Sequence, residues 1–265
     1  MIVEAPVLLA PEQPDELLEC ATPRQERAVP VRLCLLDGFA LQCGGASVEL
    51  PFSAQRLLAF LAFQERPVLR SYVAGSLWLE KSEERANANL RAALWRLRQP
   101  GLQLVDATGA HLAVSDNVTI DIREALLQAR RLLSGPTPLD GAAVDALVLS
   151  GEILPDWYDD WVAIERERLR QLRLHALEAL CSQLVDRGEL ARAIDVGLAA
   201  MAAEPLRESV HRLLIRAHMA EGNKAEALRQ YDAYCTLLWN ELGVRPSSQL
   251  LELIESVRDP VVEKM

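Results

Sequence analysis

The alternation of apolar and polar positions in the first part of the chain predicts short strands and amphipathic helices. Short apolar runs separated by Asp-Gly and Gly-Gly pairs are typical of strands joined by tight turns. The predicted strands are residues 31–36, 39–42 and 47–50. Helical periodicity follows, with Ser53 and Ser71 expected to cap the first two helices and Ser82 to start the third. Two or three more strands are predicted at 102–105, 111–114 and 118–120, the first two forming a hairpin around 106–109.

From about residue 121 onward every pattern is helical, and this half contains an internal repeat. Gly188 and Gly222 lie 34 residues apart, and several Ala and Leu positions match at the same offset. A helix, a Gly turn and an Ala-bearing second helix at this period are the signature of the tetratricopeptide repeat. The consensus Trp and Gly of the first helix are missing, so a chance pair of helix hairpins is the alternative.

The third helix, predicted at residues 82–98, has an apolar stripe on one side and a basic face on the other. At about 100° per residue the stripe must face the core, and it contains Ala86, Leu90, Ala93, Leu94 and Leu97. The opposite face contains Arg85, Ala88, Ala92, Trp95 and Arg96, with Asn89, Arg91 and Arg98 on its flanks. Small residues permit close approach to a DNA major groove, and Arg and Asn offer paired donors to base edges.

An ordinary solvated basic face is the alternative interpretation of this helix. Trp95 argues against it, since solvated faces rarely carry Trp, although Trp95 could instead cover a neighbouring helix. The order of elements favours DNA, because a three-helix unit with a basic last helix and a Gly-tipped hairpin is a winged helix. We therefore predict an α+β winged helix at residues 31–122, followed by an all-α, tetratricopeptide-like domain at 123–258. Residues 1–30 and 259–265 are predicted to be tails.

Side chains outside the third helix are also predicted to contact DNA. The starts of the first two helices present free N–H groups suited to phosphate, at Ser53, Gln55, Arg56, Ser71 and Tyr72. The hairpin tip at 108–111 would lie along the backbone or minor groove, where His111 could contact phosphate; a surface histidine without a role is the alternative. We expect Arg96 and Asn89 to contact bases.

Charge supports this picture only after the chain is divided. The formal net charge of −10 taken alone argues against a protein that coats nucleic acid. Residues 31–122, however, hold nine Lys/Arg and nine Asp/Glu, whereas residues 134–265 hold 14 and 22. Residues 85–98 carry four Arg and no acid. We therefore expect weak non-specific binding, a specific contact concentrated on one helix, and an acidic body facing away from the duplex.

Sequence motifs for secretion, membrane insertion, metal binding and catalysis are not found. The first thirty residues lack a positive n-region, and the five cysteines are widely spaced without a Cys-x-x-Cys pair. No Gly-Lys-Ser/Thr loop, His-Glu-x-x-His or Gly-x-Ser-x-Gly motif occurs. His211 and His218 are seven residues apart on one predicted helix, too far to share a metal. We expect a cytoplasmic protein that is not an enzyme and needs no cofactor or metal.

Two series of short motifs, one in each half of the chain, identify a protein family more specifically together than any one motif does alone. The first is LPFSAQRLLAFL (50–61), LW (77–78), SEERANANL (82–90) and ALWRLR (93–98). The second is GEILPDWYDDW (151–161), ERERL (165–169), EPLRE (204–208), AEALRQY (225–231) and ELGVRP (241–246). Together they resemble the SARP regulators, bacterial transcriptional activators with an OmpR-type winged helix and a bacterial transcriptional activation domain. The resemblance covers roughly residues 31–258.

This resemblance implies an activator that binds direct repeats in promoter DNA as a dimer, places its third helix in the major groove and recruits RNA polymerase. The chain departs from the family pattern at Leu79-Glu80, where many relatives have Pro-Asp. It also departs at the outward Ala92 and Trp95, where response-regulator relatives often carry basic side chains. The third helix stops at Pro100 instead of continuing through more basic residues. These departures affect the base preference more than the fold.

Two parts of the helical domain leave alternatives open. The aromatic segment 155–161 could start a helix and fix it by burial, or it could form a docking site for a partner. The outward polar groove of the tetratricopeptide-like helices could bind a peptide, a nucleotide or polymerase. An interaction scaffold whose winged helix no longer binds DNA is therefore the second hypothesis for function.

Overall fold

The computed structural model describes residues 30–135 and 151–258, and the N-terminal half of the protein is a winged helix. Its elements are β1 (Val31–Cys34), β2 (Ala40–Cys43), β3 (Ala46–Ser47), α1 (Phe52–Ala62), β4 (Val68–Leu69), α2 (Arg70–Leu77), α3 (Glu83–Arg96), β5 (Val105–Thr108), β6 (His111–Val114) and β7 (Val118–Ile120). One sheet has the order β3-β2-β1-β7, with β1 antiparallel to β2 and parallel to β7. The other is antiparallel in the order β4-β6-β5. The hairpin of β5 and β6 is the wing.

The core of the winged helix is formed largely by buried leucines, as the helical periodicity predicts. On α1 they are Leu57, Leu58 and Leu61, and on α3 they are Leu90 with Ala86 and Ala93. Full burial of one such Leu contributes about 1.5–3 kcal/mol to folding. This apolar contact fixes α3 against α1 and leaves the opposite side of α3 in solvent.

Local details of this half differ from the sequence prediction. Ser53 and Ser71 were expected to cap helices, but α1 begins at Phe52 and α2 at Arg70, after the extended residues Pro51 and Leu69. The two serines therefore lie within first turns. The wing is displaced as well: β5 begins at Val105 and not at residue 102. The cause is a tight turn after α3, in which Gln99 pairs with Leu102 around Gly101 at φ +76°.

The C-terminal half contains only helices among its regular described elements. They are α4 (Asp121–Leu133), α5 (Asp160–Asp186), α6 (Leu190–Ala203), α7 (Glu208–Ala220), α8 (Lys224–Leu242) and α9 (Ser248–Arg258). We call α4–α9 the helical half. The predicted connector at 134–138 lies mostly outside the described residues.

The predicted repeat is confirmed by two helix hairpins of the same design, α5–α6 and α7–α8. Gly188 and Gly222 have φ of +77° and +82°, a left-handed conformation that suits Gly. The following residues close both turns in the same way: Glu189 N donates to Leu184 O at 2.9 Å, and Asn223 N donates to His218 O at 2.8 Å. At matched positions Ala193 and Ala227 are fully buried. Small side chains there let the paired helices approach closely.

The winged helix and the helical half share one core instead of meeting across a loose linker. Leu36 forms a β-bridge with Ile153, and Leu154 N donates to Leu35 O at 2.9 Å. Val162 and Leu169 belong to the same buried cluster as β1, α1 and α3. We call the contacts between residues 151–169 and the winged helix the junction. A domain boundary at residue 122 stays a prediction, since the chain on both sides of it contributes to one core.

The aromatic segment 155–161 forms the centre of the junction. Trp157 lies edge-on to Phe52, with ring centroids 5.1 Å apart. Trp161 lies edge-on to Phe60 at 5.4 Å. The structural interpretation of this segment is therefore confirmed for both tryptophans. It is wrong for Tyr158, which is 93% exposed.

Candidate nucleic-acid interface

The exposed side of α3 is the part of the winged helix best suited to nucleic acid. Ser82 precedes the helix, and Glu83 and Glu84 occupy its first turn, where negative charge suits the helix dipole. Of the predicted core stripe, Ala86, Leu90, Ala93 and Leu97 are buried and Leu94 is half-buried, whereas Trp95 at the centre of the outward face is 72% exposed. An exposed Trp of this degree does not cover a neighbouring helix, so that alternative is wrong.

The basic side chains of α3 lie along both edges of this outward face. The helical period places Arg85, Asn89 and Arg96 along one edge and Arg91 along the other, where Arg98 follows just after the end of α3. Asn89 is half-buried, and the four arginines are exposed. Trp95 lies between the two edges with the small residues Ala88 and Ala92. Every residue predicted on this face therefore has its side chain at the surface.

A groove of about 480 Å³ separates α3 from the wing. Arg91 and Trp95 line it from α3, Arg98 lines it from the turn that follows α3, and Ala107 lines it from β5. Arg70 lines it from the start of α2. Three guanidinium groups thus converge on one concave surface, an arrangement that attracts phosphate oxygens.

Arg70 is a candidate residue that the sequence analysis missed. Its Nε donates to Gly109 O at 3.2 Å, and its backbone N donates to Ala110 O at 2.8 Å. Both acceptors lie in the turn of the wing, so Arg70 fixes the position of the wing relative to α2. The signal lay in the apolar pair Val68-Leu69 directly before it, which forms β4 on the wing sheet. A two-residue strand is too short for periodicity to reveal.

The structure joins Arg96 and Ser53, two residues that the sequence placed separately. The Nη1 of Arg96 donates to Ser53 Oγ at 2.6 Å. Arg96 is the last residue of α3, and Ser53 is the second residue of α1. The start of α1 therefore meets the end of α3 at the edge opposite the wing.

Two predicted phosphate contacts at the start of α1 are engaged elsewhere in the structure. Arg56 forms an ion pair with Asp159, its Nε lying 2.7 Å from Oδ1, and both side chains are mostly buried in the junction. Gln55 Nε2 donates to Leu50 O at 2.7 Å. The sequence prediction for Arg56 was based on the free N–H groups at the start of α1 alone. In the structure its side chain points away from them to Asp159, the residue before α5.

The remaining predicted residues, Ser71, Tyr72 and His111, are exposed, and their contacts within the protein neither support nor oppose a role in binding DNA. Ser71 and Tyr72 are exposed in the first turn of α2, and the Tyr72 ring lies 6.1 Å from that of Phe60. His111 is exposed beside the wing turn, where its strand pairs with Leu69. Their contacts with DNA stay predictions.

The arginines of the α3 face lack carboxylate partners, unlike many arginines of the helical half. Within the described ranges, none of Arg85, Arg91, Arg96 and Arg98 forms an ion pair with a carboxylate. In the helical half, by contrast, Arg207 pairs with Glu178 at 2.7 Å, and that guanidinium holds the pKa of Glu178 below its usual range despite burial. The field at α3 is therefore positive in a chain whose total charge is negative.

Two other kinds of site are not seen in residues 30–135 and 151–258. No group of three or more His, Cys, Asp or Glu is arranged to hold a metal ion. No helix in these ranges is both long and apolar enough to cross a bilayer.

Comparisons with known proteins agree on one family. The model of the bacterial transcriptional activator domain matches residues 102–258. The regulatory protein AfsR of Streptomyces coelicolor is 30% identical over 242 residues, which is 86% of this chain and 24% of AfsR. AfsR of Streptomyces griseus is 28% identical over 211 residues, which is 76% of this chain and 22% of that protein. The chain thus spans about a quarter of the length of these relatives.

A solved structure shows the same fold. Mycobacterium tuberculosis EmbR, in complex with a low-affinity phosphopeptide, superposes with a TM-score of 0.69 at 22% identity, covering 88% of this chain and 66% of EmbR. The winged helix, the tetratricopeptide-like helices and the family match over more than half of the chain lead to one conclusion. The chain belongs to the SARP-type family of bacterial transcriptional activators, which carry the bacterial transcriptional activator domain.

Proposed function

We propose that this protein activates transcription by binding specific promoter DNA through α3 and the wing. The observation that carries the proposal is the set of unpaired arginines around α3 in an otherwise acidic chain. An exposed basic helix beside a basic groove is the electrostatic footprint of a DNA-binding surface. Such a role would be carried out in the bacterial cytoplasm, where promoter DNA is found.

The two edges of α3 have different proposed tasks. Arg96 and Asn89, on the edge next to α1, contact bases, with Arg85 close to them on the same edge. Arg91 and Arg98 contact phosphates across the groove to the wing, where Arg70 is added to the predicted set. Trp95 packs against sugar or base between the two edges. Ser71, Tyr72 and His111 complete the phosphate contacts, while Arg56 is left out because Asp159 pairs with it.

Salt dependence tests the phosphate contacts. Each of Arg91→Ala and Arg98→Ala should weaken binding to all DNA sequences alike and reduce the slope of log K against log salt by about one. Arg229→Ala is the matched control, since this exposed arginine pairs with Glu226 on α8, in the helical half. An unchanged slope in both α3 variants would remove Arg91 and Arg98 from the interface.

The contact with RNA polymerase is proposed for a second surface. Leu79, Tyr158 and Ile164 are 79%, 93% and 67% exposed, and they line one groove of about 640 Å³ between the α2–α3 loop and the start of α5. Exposed apolar side chains gathered in one place are typical of protein-binding sites. Tyr158→Ala should leave promoter binding intact and lower transcription in a purified system. Leu198→Ala, at an exposed apolar position of α6, is the control.

Two copies are proposed to bind direct repeats side by side, as the family resemblance implies. The decisive experiment for the whole proposal is recovery of genomic DNA bound by the protein, followed by binding of the enriched fragment and its scrambled counterpart. We expect the fragment to bind at least a hundredfold more tightly, within the range of specific recognition. Equal affinity at every salt concentration would refute DNA recognition and favour the scaffold hypothesis.

A further inference from the structure

The hydrogen bond between Ser53 and Arg96 joins two helices at the proposed DNA-binding face. Arg96 ends α3, where a long side chain with an exposed position would otherwise sample many rotamers. Ser53 is half-buried in the first turn of α1, which is held by the core through Ala54 and Leu57. The hydroxyl is therefore a fixed acceptor, and it restricts the guanidinium to one part of its accessible space.

Arg96 and Arg56 are held by different kinds of partner. Arg96 contacts α1 from α3, whereas Arg56 belongs to α1 itself. Arg56 pairs with the carboxylate of Asp159, which neutralises its charge and withdraws it from solvent. Arg96 meets a neutral hydroxyl, so its positive charge and its other N–H donors are retained. Within the described residues the Ser53 hydroxyl has no second partner, so its own proton is free to donate.

We propose that Ser53 is a positioning residue that orients Arg96 for sequence recognition before DNA arrives. An arginine that is already oriented loses less side-chain freedom on binding, and its planar donors are aligned for a bidentate contact. The effect should be larger for the correct site than for random DNA, because only the correct site offers matching acceptors. This inference rests on the proposed function and adds a residue that acts through Arg96.

The test compares affinities for the genomic fragment recovered above and for its scrambled counterpart. Ser53→Ala should weaken binding to the fragment about threefold to tenfold, the size expected when one rotamer-rich side chain must be ordered on binding. Binding to scrambled DNA should change less than about twofold, since a phosphate-only contact does not depend on this orientation. Ser53→Thr keeps the hydroxyl and should restore most of the affinity. Ser256→Ala, on α9, is the control for removal of a serine hydroxyl.

Ser53→Asp separates orientation from charge. A carboxylate at this position would still hold Arg96 but would neutralise it, as Asp159 does for Arg56. We expect this variant to lose more than about tenfold in affinity for the fragment, more than Ser53→Ala loses, because a neutralised guanidinium is a weaker donor to base acceptors. Thermal unfolding of each variant checks that the winged helix is intact.

A double-mutant cycle with Arg96→Ala decides whether Ser53 acts through Arg96. In the Arg96→Ala background, Ser53→Ala should have almost no further effect on binding to the recovered genomic fragment. An equal loss in both backgrounds, or an unchanged affinity for Ser53→Ala in the wild-type background, would overturn the positioning role while leaving DNA recognition in place. A wild-type protein with no preference for the recovered fragment would overturn both proposals.

Discussion

Replacing Arg56 by Ala separates a structural arginine from the arginines of α3 that are proposed to bind DNA. The Arg56 and Asp159 side chains are only 23% and 15% exposed, so the burial of this ion pair is intermediate between that of a surface pair and that of a fully buried pair. Surface pairs contribute about 0–1 kcal/mol, and removing one partner of a buried pair costs about 3–5 kcal/mol. We therefore expect Arg56→Ala to lower the free energy of unfolding by about 2 kcal/mol, because Asp159 loses its partner.

Thermal unfolding and DNA binding measure the two possible roles of Arg56 independently. A loss of this size should lower Tm by about 4–8 °C, given about 2–4 °C per kcal/mol for larger domains. Binding of the folded variant to DNA should keep the wild-type salt slope, since no phosphate contact is removed. Asp159→Ala should destabilise the protein by a similar amount, and the double variant should lose less than the sum of the two.

The contrary outcome is equally specific. Wild-type stability together with a salt slope reduced by about one would mean that Arg56 contacts phosphate and that its pairing with Asp159 is exchanged on binding. That result would return Arg56 to the DNA-binding set predicted from the sequence. It would also refute the view that the junction withdraws this arginine from solvent.

Two further predictions concern the packing and the protonation of the helical half. A methyl group added at Gly197 would lie 2.6 Å from the Cδ2 of buried Leu214, so Gly197→Ala should destabilise by about 1–3 kcal/mol in thermal unfolding. Gly75→Ala, in open space on α2, is the matched control and should stabilise by about 0.5–1 kcal/mol; destabilisation of both would point to backbone conformation instead of packing. His211 is buried as the neutral ring, with Nε2 2.7 Å from Pro205 O and Nδ1 accepting from Gln230 Nε2 at 2.8 Å, and burial lowers its pKa. Because the unfolded chain then binds the proton more readily, the free energy of unfolding should fall as pH drops below the usual His pKa of about 6.5. Urea titrations between pH 7 and 5 should show a shallower fall in His211→Gln, and an unchanged pH dependence would contradict the assignment.

Features encoded by local periodicity were predictable from the sequence. The buried stripe of α3 follows from apolar spacing within one helix, and its outward basic face follows from the same wheel. The repeat was equally accessible, because Gly188 and Gly222 must each leave the right-handed region to end a helix. Both signals depend only on residues close together in sequence.

Features that depend on distant pairing were not predictable. Arg56 meets Asp159 across 103 residues, and Arg96 meets Ser53 across 43. The helical wheel predicts the side of the helix on which a side chain lies, but it does not predict which residue that side chain contacts. The wing illustrates a smaller failure, since one Gly turn after α3 displaced a strand whose residue types had been recognised.

The partner of each arginine is therefore a better guide to its role than the net charge of the domain. Arg123 donates to the carbonyls of Ala62 at the end of α1 and of Gln64 just beyond it, and partial burial lowers its pKa, so its guanidinium is engaged in holding α4 to α1. Arg56 is neutralised by Asp159 in the junction. Arg96, on the neighbouring helix, is held by a hydroxyl and keeps its charge at the surface. A domain with equal numbers of acids and bases can thus present a positive helix at its surface, because Arg56 is paired with Asp159 and the arginines of α3 have no carboxylate partner among the described residues.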